Sequence, residues 1–298
     1  MSHLRILSGP MRLPFLILTP ACVSVGVGTA FWQTRSLNAL NVVLVLIGAL
    51  AAHISVNMHN EYFDFKSGLD SKTRRTPFSG GSGTLQAHPR LARQTRSLAW
   101  LTLAIVAAIG VYFVRLHGWK LLPLGILGLM LLVIYTIWLT YNPLLCLLAP
   151  GVGFGVLMVM GTHFALTGAY TLTAFVASLV PTFLVSNLLL LNQFPDVEAD
   201  RTVGRKHYPI TIGRKASSVI FGVFMLMTYL SIIIGVILKL LPAFILLALL
   251  TAFPAVRVCA GARKHADDIP NLVPYLGQNV IVVILTPVLL AIGLFIGK

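Results

Sequence analysis

Apolar residues run along this chain in long blocks separated by short polar stretches. A helix needs about 20 such residues to cross the hydrocarbon core of a bilayer. Blocks of that size fall at roughly 13–33, 40–60, 97–115, 120–138, 144–166, 172–192, 217–237, 241–257 and 274–297. They predict nine transmembrane helices. The first is not read as a cleaved signal peptide: Arg5 and Arg12 precede it, but no small-residue cleavage site closes a short apolar core. The expected fold class is an all-α integral membrane protein, a single domain over residues 1–298.

Composition agrees. Of 298 residues, 57% are hydrophobic and 10% charged, whereas a soluble domain carries about 25% charged residues. A chain this poor in charge cannot cover a water-facing surface of its size. That excludes a soluble globular enzyme, a disordered chain and a nucleic-acid binder, despite the net charge of +14. Cys22, Cys146 and Cys259 lie in apolar stretches and read as reduced packing residues.

The basic residues test the span count. With the N-terminus in the cytoplasm, the cytoplasmic side receives Arg5 and Arg12, the bases from Lys66 to Arg96, those from Arg201 to Lys215, and Arg257, Arg263 and Lys264. That is seventeen; Arg35, Arg115, Lys120, Lys239 and Lys298 are the five left outside. This is a strong positive-inside bias, which an eight-span arrangement would lose. The expected location is the inner (cytoplasmic) membrane, multi-pass, with the working face toward the cytoplasm.

All eight acidic residues fall in three segments on that same side: Glu61, Asp64 and Asp70; Asp196, Glu198 and Asp200; Asp267 and Asp268. Around the first group, His53, Asn57, Asn60 and Asp64 recur at i, i+4, i+7 and i+11, one face of a helix. A polar face in an otherwise apolar helix must look into a cavity rather than at lipid, so the nine helices are expected to enclose a central cavity. Around the second group, Asn192, Asp196 and Asp200 step by four. Asn60 and Asp64 thus return 132 residues later as Asn192 and Asp196 with the same internal spacing, as an internal repeat would produce. Carboxylate and amide oxygens without cysteine suit a hard cation, and Mg²⁺ bridges a few carboxylates to phosphate oxygens. Basic residues accompany each group, as a diphosphate with its metals would require.

At these residues the chain resembles the UbiA superfamily of intramembrane prenyltransferases. Asn60-Glu-Tyr-Phe-Asp64-Phe-Lys-Ser-Gly68-Leu-Asp70 resembles the first Asp-rich motif of that family, and Asn192-Gln-Phe-Pro-Asp196-Val-Glu-Ala-Asp200-Arg201-Thr-Val-Gly204-Arg-Lys206 resembles the second. Arg12-Leu-Pro14, Tyr135-Thr136 and Gly161-Thr162 support it. The motif loops occupy about 57–96 and 192–216, and the Gly68-Leu-Asp70 ending is most similar to the MenA branch, which prenylates 1,4-dihydroxy-2-naphthoate on the way to menaquinone. There are departures. Glu61 stands where the family often has Asp, which keeps an oxygen ligand. Pro195 precedes Asp196, and proline breaks or kinks a helix. The stretch Ser79-Gly-Gly-Ser-Gly-Thr84 is unusually rich in Ser and Gly; it reads either as a flexible linker or as backbone amides that close over the diphosphate.

The resemblance implies Mg²⁺-dependent transfer of a polyprenyl group from its diphosphate to an aromatic acceptor, at a lipid-embedded site. Implied metal ligands are Asn60, Asp64, Asp70, Asn192, Asp196 and Asp200, with Asp64, Asp196, Asp200 and Tyr135 in the catalytic group. Implied diphosphate ligands are Lys206, Arg201, Arg74, Arg75, Lys66 and Arg12. Tyr135, Tyr141 and Trp138 are candidates for cation–π stabilisation of the allylic cation, or else interfacial anchors. Asn57, His53, Tyr141, Gln278 and Asn279 are candidate pocket residues. His59 and His207 flank the motifs and read as solvated in preference to contacting phosphate, and His163 reads as remote from the chemistry. Two rival readings stay open. A transporter would carry its carboxylate near mid-depth rather than at helix ends, and a terpene cyclase of the same superfamily would ionise the diphosphate without an acceptor.

Overall fold

The computed structural model describes residues 3–297; Lys298, counted above on the outer side, lies outside the described residues. Among the described residues nine helices are long and apolar enough to cross a membrane. They are α1 (Leu13–Thr34), α2 (Ala39–Ser67), α3 (Pro89–His117), α4 (Trp119–Ile137), α5 (Pro143–Thr167), α6 (Leu172–Asn192), α7 (Arg214–Ile237), α8 (Ala243–Lys264) and α9 (Ile269–Ile296). All nine expected spans are present. The largest difference is α2, which runs on to Ser67 and so carries Asn60, Glu61 and Asp64 in its final turns rather than in a loop. A short helix, His3–Met11, precedes α1, and Arg12 joins the two in a left-handed conformation with φ 53°.

Helix ends follow local chemistry. Backbone N–H groups of a first turn have no intrahelical acceptor, and a side-chain oxygen at the N-cap supplies one. Asn38 accepts from the Asn41 amide at 3.1 Å, Asn142 from Leu144 and Leu145, Thr171 from Ala174 and Asp268 from Asn271. Gly68 closes α2 in the left-handed conformation that a Cβ would penalise. Pro195 has the effect expected of it: α6 ends at Asn192, a turn follows, and a separate short helix, Val197–Thr202, starts after Asp196, whose side chain makes no capping bond.

Without water between helices, packing depends on close backbone approach and on polar contacts. At α5–α6, Gly151 and Gly155 face Thr182. A Cβ on Gly155 would stand 2.5 Å from the Thr182 backbone nitrogen, so only glycine permits this approach. Buried hydroxyls and imidazoles are paired across helices: Thr19 with His53 at 2.8 Å (α1–α2), and His163 with both Thr29 and Thr171 at 3.0 and 3.1 Å. Asn187 donates to the Phe221 carbonyl at 2.8 Å, tying α6 to α7.

Helix α1 packs against α2, α5, α6 and α9, and α6 lies between α5 and α7. In its apolar stretch α6 is 72% buried, whereas α3 and α4 are 11% buried. The helices therefore form a tight group on the α5–α9 side and a thinner wall, α2–α4, facing lipid. Between them lies a cavity of about 600 Å³, lined by α1 to α6 and α9. Its walls are apolar except at the end where α2 and α6 finish. At the opposite end it is bounded by Val111, Leu122 and Ile126, which are themselves lipid-exposed.

Candidate active site

Two chain segments far apart in sequence build the polar end of the cavity. From α2 come His53, Asn57, Asn60 and Asp64, all lining the cavity as their helical spacing predicts. From the end of α6 and the turn beyond Pro195 come Asn192, Asp196 and Asp200, which also line it. The i, i+4, i+8 spacing of this second group survives the break, because the turn of residues 193–196 keeps nearly the helical progression. Asp70 lies at the rim, just after α2.

Arg205 holds the two segments together. Its guanidinium bonds Asp64 through one nitrogen and Asp200 Oδ1, at 3.0 Å, through the other. Burial disfavours the charge, but the Asp64 and Asp200 carboxylates more than compensate and raise the Arg205 pKa above its ordinary value. Asp200 Oδ2 meets His207 Nε2 at 2.9 Å. His207 is buried and lines the cavity, and its Nδ1 has no partner among the described residues. His59 is buried as well, bonded to the Ser55 carbonyl, so neither histidine is solvated as expected. In both cases the helix or turn folds the ring inward against a carboxylate or carbonyl.

Arg12 closes the rim. It donates to Glu61 Oε1 at 2.9 Å and to Asn60 Oδ1 at 3.1 Å. Asn60 in turn donates to Asp64 Oδ2 at 3.0 Å. Glu61 is fully buried, and its oxygens are taken by Arg12 and by the Ser82 amide and hydroxyl. Both of its oxygens are thus engaged by the protein itself, and Glu61 does not line the cavity. Asp70 accepts from Gln86 at 2.8 Å, and burial raises its pKa. Burial, with the charge of Asp200 next, pushes the Asp196 carboxyl up to about 7 against a hydrogen bond from Ser79.

Several expected ligands lie elsewhere. Lys66, Arg74, Arg75, Arg201 and Lys206 are exposed and do not line the cavity. Arg75 bonds Gln86, and Arg201 pairs with Glu198 at the surface. Lys206 uses its backbone amide to bond Thr140, which aims its side chain away while the neighbouring Arg205 turns inward. Tyr135 lines the cavity, as does Cys146, whose Sγ accepts from Gln193. Tyr141 and Gln278 are exposed and off the cavity. Asn279 is buried in α9 but outside the lining, with both amide atoms unpartnered among the described residues. Sequence reasoning counted Arg205 only among the bases beside the second segment and read His207 as solvated; the signal for both was their position within eleven residues of Asp196.

The donor set can be tested against a divalent cation. It is all oxygen, and two of its buried oxygens, Asn192 Oδ1 and Asp196 Oδ1, have no hydrogen-bond partner among the described residues. Unpaired buried acceptors are costly unless something occupies them. Among the described residues no three carboxylate, imidazole or thiol groups form a ready cage, because Arg205 stands between Asp64 and Asp200. Mg²⁺ needs no such cage: it is held through one or two carboxylates together with substrate phosphates and water. The residues fit it.

Comparison with known proteins places this architecture. A 1,4-dihydroxy-2-naphthoate octaprenyltransferase from Bacillus subtilis is 28% identical over 205 residues, covering 67% of this chain and 64% of its own length. One from Haemophilus influenzae is 25% identical, covering 68% and 67%. The chain thus spans about two thirds of the length of these relatives. Among solved structures, a UbiA homolog from Aeropyrum pernix K1 in its apo form superposes with a TM-score of 0.73 at 18% identity, over 95% of this chain and 98% of that one. A UbiA homolog from Archaeoglobus fulgidus bound to DMAPP and Mg²⁺ superposes at 0.58 with 12% identity, over 96% and 99%. The family profile described as the UbiA prenyltransferase family matches residues 21–273, both acid-bearing segments included, so the chain belongs to the UbiA prenyltransferase family.

Proposed function

We propose that this protein transfers a polyprenyl group from its diphosphate to an aromatic acceptor, 1,4-dihydroxy-2-naphthoate, in menaquinone biosynthesis, at the cytoplasmic face of the membrane. The observation that carries the reading is the convergence, through Arg205, of two acid-bearing segments at the polar end of an otherwise apolar cavity. The names of the two curated relatives support the choice of acceptor.

The chain's own groups divide the work. Asp64, Asp196 and Asn192 are the residues that would hold Mg²⁺, which when bound neutralises diphosphate charge and improves the leaving group. Arg205, buried and already paired with two carboxylates, is placed to exchange one of them for a phosphate oxygen and to stabilise charge on the departing group. Arg12 holds Asn60 and Glu61 in register beside it. The apolar walls exclude water from the allylic cation and take the prenyl chain, while Tyr135 presents an aromatic ring to the cavity.

The test is incubation of purified protein with a panel of aromatic acceptors and prenyl diphosphates, read by mass spectrometry. Prenylated dihydroxynaphthoate as the main product is expected. Prenylation of 4-hydroxybenzoate in its place would overturn the acceptor, and cyclised prenyl products without any acceptor would overturn the transfer.

A further inference from the structure

The Ser/Gly stretch after α2 is neither a helix nor a free linker. It is clamped at both ends. At one end Ser82 donates to Glu61 twice, from its amide to Oε1 at 2.7 Å and from its hydroxyl to Oε2 at 2.8 Å. At the other end Ser79 bonds the Thr76 hydroxyl at 2.9 Å, and the Thr76 amide donates to the Ser79 carbonyl. Glu61, fully buried and charge-paired with Arg12, is the fixed point.

Between the clamps lie Gly80 and Gly81, with φ of 88° and 72°. Both line the cavity, beside Asp64, Asp70, Asn192 and Asp196. Their N–H groups make no hydrogen bond among the described residues. Two conditions keep the positions glycine: positive φ, and space. A Cβ on Gly81 would stand 2.9 Å from Asp70 Oδ1, and one on Gly80 would stand 3.0 Å from the Arg75 Cα. Successive unpaired backbone amides where the chain bends can serve as anion-binding groups, and here they lie at a rim whose other groups are mostly acids. An anion that brings its own cations satisfies both sides.

We propose that Ser79–Gly83 is a diphosphate-binding strap, its Gly80 and Gly81 amides donating to phosphate oxygens, and that Glu61 is the positioning residue holding the strap over the cavity rather than a metal ligand. This rests on the diphosphate substrate proposed above, but not on the acceptor.

Hydrogen–deuterium exchange of the full-length protein in detergent with Mg²⁺ tests it directly, with inorganic pyrophosphate as probe and inorganic phosphate as control. Pyrophosphate is expected to slow exchange in segment 76–84 at least fivefold in the wild type, and less than twofold in Glu61→Gln and in Ser82→Ala. Ser82→Ala leaves the Arg12–Glu61 pair in place, so it serves if Glu61→Gln does not fold. In turnover, both variants are expected to raise KM for the prenyl diphosphate at least tenfold, with kcat and the acceptor KM within threefold. Mn²⁺ binding without diphosphate, followed by electron paramagnetic resonance, is expected to stay within twofold. A tenfold loss of Mn²⁺ affinity in Glu61→Gln would make Glu61 a ligand and overturn the proposal, and so would absence of pyrophosphate protection in the wild type. Protection without prenylation of any aromatic acceptor would leave the strap standing and refute the proposed transfer instead.

Discussion

Arg205 is the residue that joins the two halves of the site. Its two carboxylate partners are buried, and removing one partner of a buried ion pair costs about 3–5 kcal/mol. Arg205→Ala is therefore expected to lower the melting temperature of the metal-free protein, and Mg²⁺ should recover more stability in this variant than in the wild type, because the cation can take the vacated place between Asp64 and Asp200. Differential scanning fluorimetry with and without Mg²⁺ measures both. Asp64→Ala and Asp196→Ala are expected to reduce turnover by ~10³-fold or more, beyond the ~10²–10³ typical of losing one electrostatic contact, while leaving a folded membrane protein; near wild-type turnover by either would refute the site. The Asp196 carboxyl, raised to about 7 chiefly by burial, has a signed consequence. The folded state holds a proton that the unfolded chain releases near pH 4, so metal-free stability falls as pH rises from about 4 to about 7. A melting series from pH 5 to 8 is expected to show that decline, to show less of it in Asp196→Asn, and to show it flattened by Mg²⁺, which binds the ionised carboxylate.

The helices place these side chains through two local devices: caps that end them and glycines that let them approach. Gly155 is the sharpest case. Its missing Cβ lets α5 contact the α6 backbone at Thr182, and α6 carries Asn192 toward the site. Gly155→Leu forces the pair apart, and overpacking of this kind costs about 1–3 kcal/mol. The expected outcome is a lower melting temperature together with reduced prenyl transfer, whereas Gly110→Leu, at a position with no neighbour within 4 Å of the added Cβ, should melt like the wild type. At this scale the sequence was informative where periodicity is local. The face of His53, Asn57, Asn60 and Asp64 could be read directly, since a helix of fixed pitch fixes which residues share a face. Which base faces inward could not. Arg201, Arg205 and Lys206 follow a proline-broken helix, and the turn that selects Arg205 is set by contacts such as the Lys206 amide on Thr140, which belong to the folded molecule.

Across the whole molecule the cavity joins a polar end to lipid. Its far boundary is the sparsely packed α3–α4 wall, where Gly125 has no atom within 4 Å of an added Cβ and lines the cavity. A prenyl chain longer than the cavity must leave through such a wall. Gly125→Trp fills that space, and the expected result is a shorter maximum chain length, with geranyl diphosphate turned over within about threefold of wild type and octaprenyl diphosphate reduced at least tenfold. Equal loss on both substrates would place the exit elsewhere. The sequence by itself determined the number of spans, the gathering of the acids and most bases at one end of them, and the two acid-bearing segments, because burial in lipid imposes a length and a polarity on each helix independently of its neighbours. Only the tertiary structure decided the rest: that Arg205 rather than Lys206 joins the two segments, that Glu61 is committed to the Ser/Gly strap, and that Tyr141 and Gln278 point away. Each of those depends on groups brought together from positions far apart in the chain, and no local period records that meeting.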